Sequence, residues 1–380
     1  MKAFTGLLGM LLLGAILAED ISKKPSQSKN RAECTNFAGD LYYRVQESLP
    51  EEQHFVISPL GVSSLLGTLL FAVDQTSAIE IANFLYPKCR NPDEDISSPS
   101  ILERQGSRLS MATVALVRDG VAVDKKFENQ AAELGSYVFR TNFLSYRNEF
   151  NDFFTSKTNE RRLYPMDPGL LTDPPGPESR LLFYNGMRYT GRFGQKFSYL
   201  NGKLFAPRVQ ALHGHIPELK AQVLGLPLLN TTSCLLILRP DIGVELKSVA
   251  IRLRTVDVRQ LPSQLNPTTM DITLKQMFEK SYIFLREPLM EAGITSVFNE
   301  TTADLSAFNK EVPLDDALVV TLISLFENGI NTDEEDSNYD IEKIENSVAY
   351  PKFEALNNFI YAIVDPERVY LMGRRTESKW

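Results

Sequence analysis

Apolar positions fall into runs whose spacing separates strands from helices. Leu318–Phe326 (LVVTLISLF) is β-branched and almost unbroken, the pattern of a buried strand. Phe359–Val364 and Val369–Met372 read as a strand pair, with Asp365-Pro366-Glu367-Arg368 as the turn between them. Leu60–Val73 is apolar but too short to span a membrane, and the Ser58-Pro59 pair in front of it predicts a buried core helix. From Glu327 to Ser347 no apolar period is visible. Asp333, Glu334, Glu335, Asp336, Asp340, Glu342 and Glu345 stand there against a single base, Lys343. Such a segment cannot bury itself, and an exposed loop is expected over about 328–347. A loop of this length inside a compact chain is either functional or without order.

Composition adds bounds. With 380 residues, 43% of them hydrophobic, the chain can bury a large core. No internal repeat or low-complexity linker divides it, so residues 19–380 are expected to form one domain. Met1–Ala18 carries Lys2, an apolar run and small residues near its end, the outline of a secretory signal peptide, which predicts a secreted, extracellular protein with no membrane span. Cys34, Cys89 and Cys234 are odd in number, so at most one internal disulfide forms. Asn230-Thr231-Thr232 and Asn299-Glu300-Thr301 are N-glycosylation sequons at Asn230 and Asn299. A net charge of −8 with no run of Lys and Arg argues against nucleic acid and anionic membrane as partners, and a monomer is expected.

Catalytic patterns are missing from the sequence. His54, His213 and His215 are its three histidines, and none stands in an HExxH, a GxSxG or a familiar Cys/His context. His213-Gly214-His215 could place two imidazoles on one face of a strand, but no carboxylate or thiol lies at ligand spacing, so an ordinary surface pair is expected. No glycine-rich phosphate loop follows a strand. The chain is read as a non-enzyme without metal or cofactor.

Several segments, in order along the chain, resemble the serpin family. FENG at 326–329 resembles its hinge, in which a Glu, one variable residue and a Gly end the strand before the reactive loop. PKFEALNNFIYAIVDPERVYLMGRR at 351–375 resembles its C-terminal signature: Phe353, Ala355, Phe359, Ile363, Asp365, Gly373 and Arg374 match, while Glu354 and Asn358 depart. Phe55–Leu60 with Val62–Leu65 resembles the helix B entry, and Phe150–Asn159 the helix F region. Leu181–Phe197, retaining Asn185, Gly191 and Phe197, resembles a family strand; Ala221–Asp241 resembles a strand pair and Ala303–Ser306 the A-D-L/F-S element. The resemblance implies an α+β serpin fold, with mixed β-sheets, surrounding helices and an exposed reactive-centre loop.

It also implies a mechanism to test against the residues. A protease cuts the loop of an inhibitory serpin, and the N-terminal half of the loop then inserts as a new central strand. Every second inserted residue must be small or apolar. Here the hinge reads Glu327-Asn328-Gly329-Ile330-Asn331-Thr332-Asp333-Glu334-Glu335-Asp336. If Ile330 and Thr332 face inward, so do Glu334 and Asp336; in the other register Asn331, Asp333 and Glu335 do. Either way carboxylates are buried, and neutralising each at pH 7 costs about 4 kcal/mol. Of the shutter set, Ser58 and Asn185 remain, Val319 stands where the resemblance aligns the shutter His, Gly61 replaces a Ser, and Phe193 replaces the breach Trp. The strands beside the loop between Phe197 and Leu226 are expected to be abbreviated. A count from Glu327 puts the scissile bond at Lys343–Ile344, whereas a count back from Phe353 reaches Tyr339.

The resulting expectation is a secreted serpin-like protein that does not inhibit by insertion. It would act by extracellular binding, carriage or signalling, with an extracellular protein or a small hydrophobic ligand as partner. Inhibition of a trypsin-like serine protease by loop cleavage and insertion is the alternative. The stretch aligned with the family's heparin-binding helix D, Pro99–Leu109, offers only Arg104 and Arg108, so heparin is not expected to bind. Arg252, Arg254 and Arg259 are expected on the outer face of a strand.

Overall fold

The computed structural model describes residues 36–87, 107–163, 166–167, 171, 175–301, 303–308, 312–332 and 349–377. The segment 1–18, Cys34, Cys89, Arg104, Glu334, Asp336, Tyr339, Lys343 and Ile344 lie outside them.

The chain opens with α1 (Phe37–Glu47), β1 (Phe55–Ile57), α2 (Pro59–Leu69) and α3 (Gln75–Leu85). Next come β2 (Ser107–Arg118), α4 (Lys125–Glu133), β3 (Ser136–Thr141), α5 (Arg147–Thr158) and β4 (Leu181–Arg192). A run of strands follows: β5 (Ser198–Leu200), β6 (Lys203–Ile216), β7 (Ala221–Pro227) and β8 (Cys234–Pro240). After α6 (Leu246–Leu253) come β9 (Asn266–Lys275), β10 (Met277–Phe284), α7 (Arg286–Glu291), β11 (Asp316–Phe326) and β12 (Gly329–Ile330). The chain closes with β13 (Lys352–Ala355), β14 (Phe359–Val364) and β15 (Val369–Arg375).

These strands form two sheets. The larger runs β1-β15-β14-β8-β7-β6-β9-β13, with β5 paired to β6. The smaller runs β10-β11-β12-β4-β2-β3, and β11 and β4 also pair directly with each other. The reading of Leu318–Phe326 as a two-face-buried strand holds: Ala317 to Leu325 of β11 are all buried. One face looks into the cluster shared with the larger sheet, where Ile323 and Leu325 sit; the other, through Leu318, Val320 and Leu322, lies under α5. Phe150 and Phe154 of α5 pack edge-on against the Tyr184 ring of β4, at 5.3 and 5.1 Å between centroids. The β14–β15 turn is closed by the buried Asp365, whose Oδ1 accepts from the N–H groups of Glu367 (2.8 Å) and Arg368 (2.7 Å).

Helix α2 starts as its sequence requires. Ser58 is the N-cap, its Oγ accepting from Gly61 N–H at 2.8 Å, and Pro59 occupies the first turn, where its missing N–H costs nothing. No described helix is long and apolar enough to cross a membrane.

Four expectations change. Gly329–Thr332 are buried inside the smaller sheet, so the exposed loop does not begin at 328. Arg252 lies in α6 and Arg254 is its C-cap, while Arg259 follows in a 3-10 turn, so none is on a strand. Val249, Ala250 and Leu253 bury one side of α6, the helical spacing that the arginines obscured. Ser107–Leu109, expected within a helix, begins β2. Of the strands expected to be abbreviated, β5 has three residues but β6 runs for fourteen.

Candidate functional site

Strands β11 and β4 run parallel and pair from Asp316↔Leu182 to Leu322↔Arg188, then part into a fork. The chain leaving β11 turns back at Glu327 and Asn328 and enters that fork. There β12 pairs antiparallel with both neighbours: Ile330 lies opposite Leu325 and Gly191, and Gly329 opposite Phe326 and Arg192. The turn is pinned by Phe197 N–H donating to Glu327 O (2.8 Å) and Phe193 N–H donating to Asn328 O (2.9 Å). Gly329 is required here. Its φ is +149°, and a Cβ would come within 2.2 Å of Gly191 O. Ile330 is fully buried with Leu325, Ile323 and Met187.

Insertion ends at Asn331. Its φ of 53° is left-handed, and its side chain occupies the space between the two strands. Oδ1 accepts from Ser324 N–H (2.7 Å) and Ser324 Oγ–H (2.8 Å), while Nδ2 donates to Tyr189 O (2.7 Å) and Leu322 O (3.2 Å). Asn331 N–H donates to Ser324 O at 2.8 Å. The Arg188 guanidinium donates to Asn331 O and also pairs with Glu160, a residue just beyond the C-cap of α5; Arg188 and Glu160 are both buried. Thr332 is buried too, and its Oγ1 has no hydrogen-bond partner among the described residues.

Ser58 and Asn185 come together below this fork. Ser58 Oγ donates to Tyr370 O at 2.7 Å, and Asn185 Nδ2 donates to Thr113 Oγ1 at 2.9 Å. Asn185 lies directly opposite Val319, and its buried Oδ1 has no hydrogen-bond partner among the described residues. Gly61 makes room for that oxygen: a Cβ there would stand 2.3 Å from it. Above the fork, Phe193 packs on Phe197 at 5.2 Å and bridges to Leu228.

Of the hinge residues named from the sequence, Glu327 lies in the turn and Gly329, Ile330 and Thr332 are buried at the fork, while Asn331, Arg188 and Glu160 were not singled out. A signal was present: Arg188 interrupts the apolar run Leu181–Tyr189, where a charge needs a buried partner.

Outside the hinge, His215 Nε2 meets Asp241 Oδ2 at 2.8 Å, and His213 packs on Phe353. No group of three potential metal ligands occurs among the described residues. Cys234 is buried, which pushes its thiol up to about 12. Asn230 and Asn299 are both exposed. An open cleft of about 1050 Å³ lies between the end of α1, the Pro240–Lys247 segment and the end of β15. Glu47, Asp241, Glu245, Lys247 and Arg374 line it, so it suits a charged or amphipathic ligand better than the small hydrophobic one expected.

Comparison with known proteins agrees with this architecture. The family model described as serpin (serine protease inhibitor) matches residues 32–204 and 208–377. Among relatives, serpin B8 of Bos taurus is 25% identical over 73% of this chain and 81% of its own length. Intracellular coagulation inhibitor 2 of Tachypleus tridentatus is 22% identical over 74% of this chain and 75% of its own. Among solved structures, the native thermophilic serpin tengpin superposes with a TM-score of 0.75 at 18% identity, covering 95% of this chain and 99% of that one. Thyroxine-binding globulin in complex with thyroxine gives 0.73 at 17% identity, over 90% and 98%.

These relatives overturn the secreted, extracellular localisation. Serpin B8, serpin B9 and leukocyte elastase inhibitor of Homo sapiens, among the top relatives, are intracellular clade B serpins, which speaks against the secreted reading. The apolar run at Met1–Ala18 lies before the stretch matched by the family model, which begins at residue 32.

Proposed function

This chain belongs to the serpin family, and from that premise we propose that it is a member that does not inhibit proteases by loop insertion and acts instead by binding a partner through its surface. The observation that carries the reading is the pairing of β12. From Ile330 opposite Leu325 and Gly191, each further residue to enter would step one position along both neighbours. Glu334 would then stand between Thr321 and Met187, and Asp336 between Val319 and Asn185, on the face that Ile330 turns to the core. Neither position offers a base. Each carboxylate would have to be neutralised at about 4 kcal/mol, and Asn331 would have to give up its hydrogen bonds first. Slow insertion lets water hydrolyse the acyl-enzyme, and the chain then behaves as a protease substrate.

Serpins are in general not catalytic enzymes, and no catalytic role is assigned to this chain. The charged cleft beside α1 and α6 is the described surface offered for binding, and the acidic run Asp333–Asp336, outside the described residues, is a second candidate on its sequence alone. The second reading is protease inhibition, which relatives named as inhibitors support; a trypsin-like protease with Lys343–Ile344 as bait is its specific form, read from the sequence alone.

Incubation with a panel of trypsin-like proteases, followed by denaturing electrophoresis, separates the two. The proposal expects loop cleavage without a covalent complex; a detergent-resistant complex at near-stoichiometric yield would overturn it.

A further inference from the structure

A strand that enters a sheet and stops after two residues needs something to stop it. The direct β11–β4 pairs reach Leu322↔Arg188 and the β12 pairs begin at Ile330, opposite Leu325 and Gly191, so Ser324 N–H, Tyr189 O and Leu322 O fall in or at the edge of the gap between the two sets of pairs. The Asn331 carboxamide meets all three. One planar amide, with an acceptor on one side and two N–H donors on the other, replaces the strand that is missing. Its left-handed backbone turns the chain out of strand geometry at the same residue.

We propose that Asn331 is a stop built into the hinge: its carboxamide fixes insertion at Gly329–Ile330 and keeps the fork closed against both withdrawal and advance of the loop. Withdrawal would open the three main-chain groups to an apolar surround, and each unmet buried group is costly. Advance would require the carboxamide to leave while the β11–β4 pairs below it break one by one. The stop is coupled to α5. The Arg188 cation that holds Asn331 O is held in turn by Glu160, so a partner that draws the loop outward must also break the Asn331–Arg188 contact, next to the end of that helix. The device belongs to the uncleaved chain and stands whether or not the protein inhibits a protease.

The test is backbone amide hydrogen exchange on the intact protein, read at Leu322–Phe326 and Tyr189–Arg192. Asn331→Ala is expected to accelerate exchange in both segments by at least about tenfold, the effect of losing one or more net hydrogen bonds. Asn331→Asp separates hydrogen bonding from space filling. At pH 7 a carboxylate cannot donate to Tyr189 O or Leu322 O, and exchange should rise as in the alanine variant. Near pH 4, after correction for intrinsic exchange, the protonated carboxyl has one O–H to donate to Tyr189 O or Leu322 O, and protection should return in part. If Asn331→Ala fails to fold, the aspartate variant compared at the two pH values carries the test alone. Protection in Asn331→Asp equal to wild type at both pH values would show a filler rather than a stop, and would overturn the proposal.

Discussion

A carboxyl group at the start of β11 ties the stability of this strand to pH. Burial holds Asp316 up at about 6 from its usual 3.8, although the N–H groups of Ala317 and Arg286 donate to it. The folded chain keeps this proton through the range in which the unfolded chain loses it. The stability it contributes is therefore present below pH 4 and lost as pH rises through 6. Asp316→Asn keeps an acceptor and removes the titration. Denaturant melts should find the variant equal to its parent at pH 4 and more stable at pH 7 by on the order of 2–3 kcal/mol. Gly329→Ala should destabilise by more than about 2 kcal/mol, since a Cβ near Gly191 O meets backbone that cannot yield; thermal melting checks it. At this scale the sequence was only half legible. The Glu-x-Gly hinge could be read, but the use of a polar Asn331 as a buried plug depends on two strands far apart in the chain.

At the scale of elements, apolar runs identified β11, β14, β15 and α2 because each buries a nearly continuous surface and needs no knowledge of its neighbours. Elements with charges on view were misread. The arginines of α6 hid its helical spacing, and the run into β2 was taken for a helix from its place in the family pattern. The join between α5 and β4 was invisible, because Glu160 and Arg188 lie 28 residues apart and only the fold brings them together. Glu160→Ala leaves the buried Arg188 cation without its carboxylate and should cost about 3–5 kcal/mol in global stability, measured by urea unfolding. Glu160→Gln, which can still accept a hydrogen bond, should cost less. Equal losses for the two would mean that packing rather than charge is what Glu160 supplies.

For the whole molecule, the family could be read from segments spread in order over the chain, and the serpin model matching residues 32–204 and 208–377 agrees with it. Location could not be read in the same way. The short apolar N-terminal run predicted secretion, whereas top relatives such as serpin B8 are intracellular clade B serpins. On the proposed reading, the smaller sheet holds Gly329 and Ile330 of the hinge as a strand and accepts no more. Cleavage tests this directly, because a severed loop is free to insert. Lys343 is the one basic residue between Glu327 and Val348, so a low dose of trypsin can be directed there and a single cut confirmed by mass. Melting temperatures before and after the cut then decide. If the sheet accepts no more of the loop, the change should stay within about 2 °C, roughly 1 kcal/mol or less. A large rise would mean that the loop enters the sheet despite Glu334, Asp336 and the Asn331 plug, and would contradict the proposed reading.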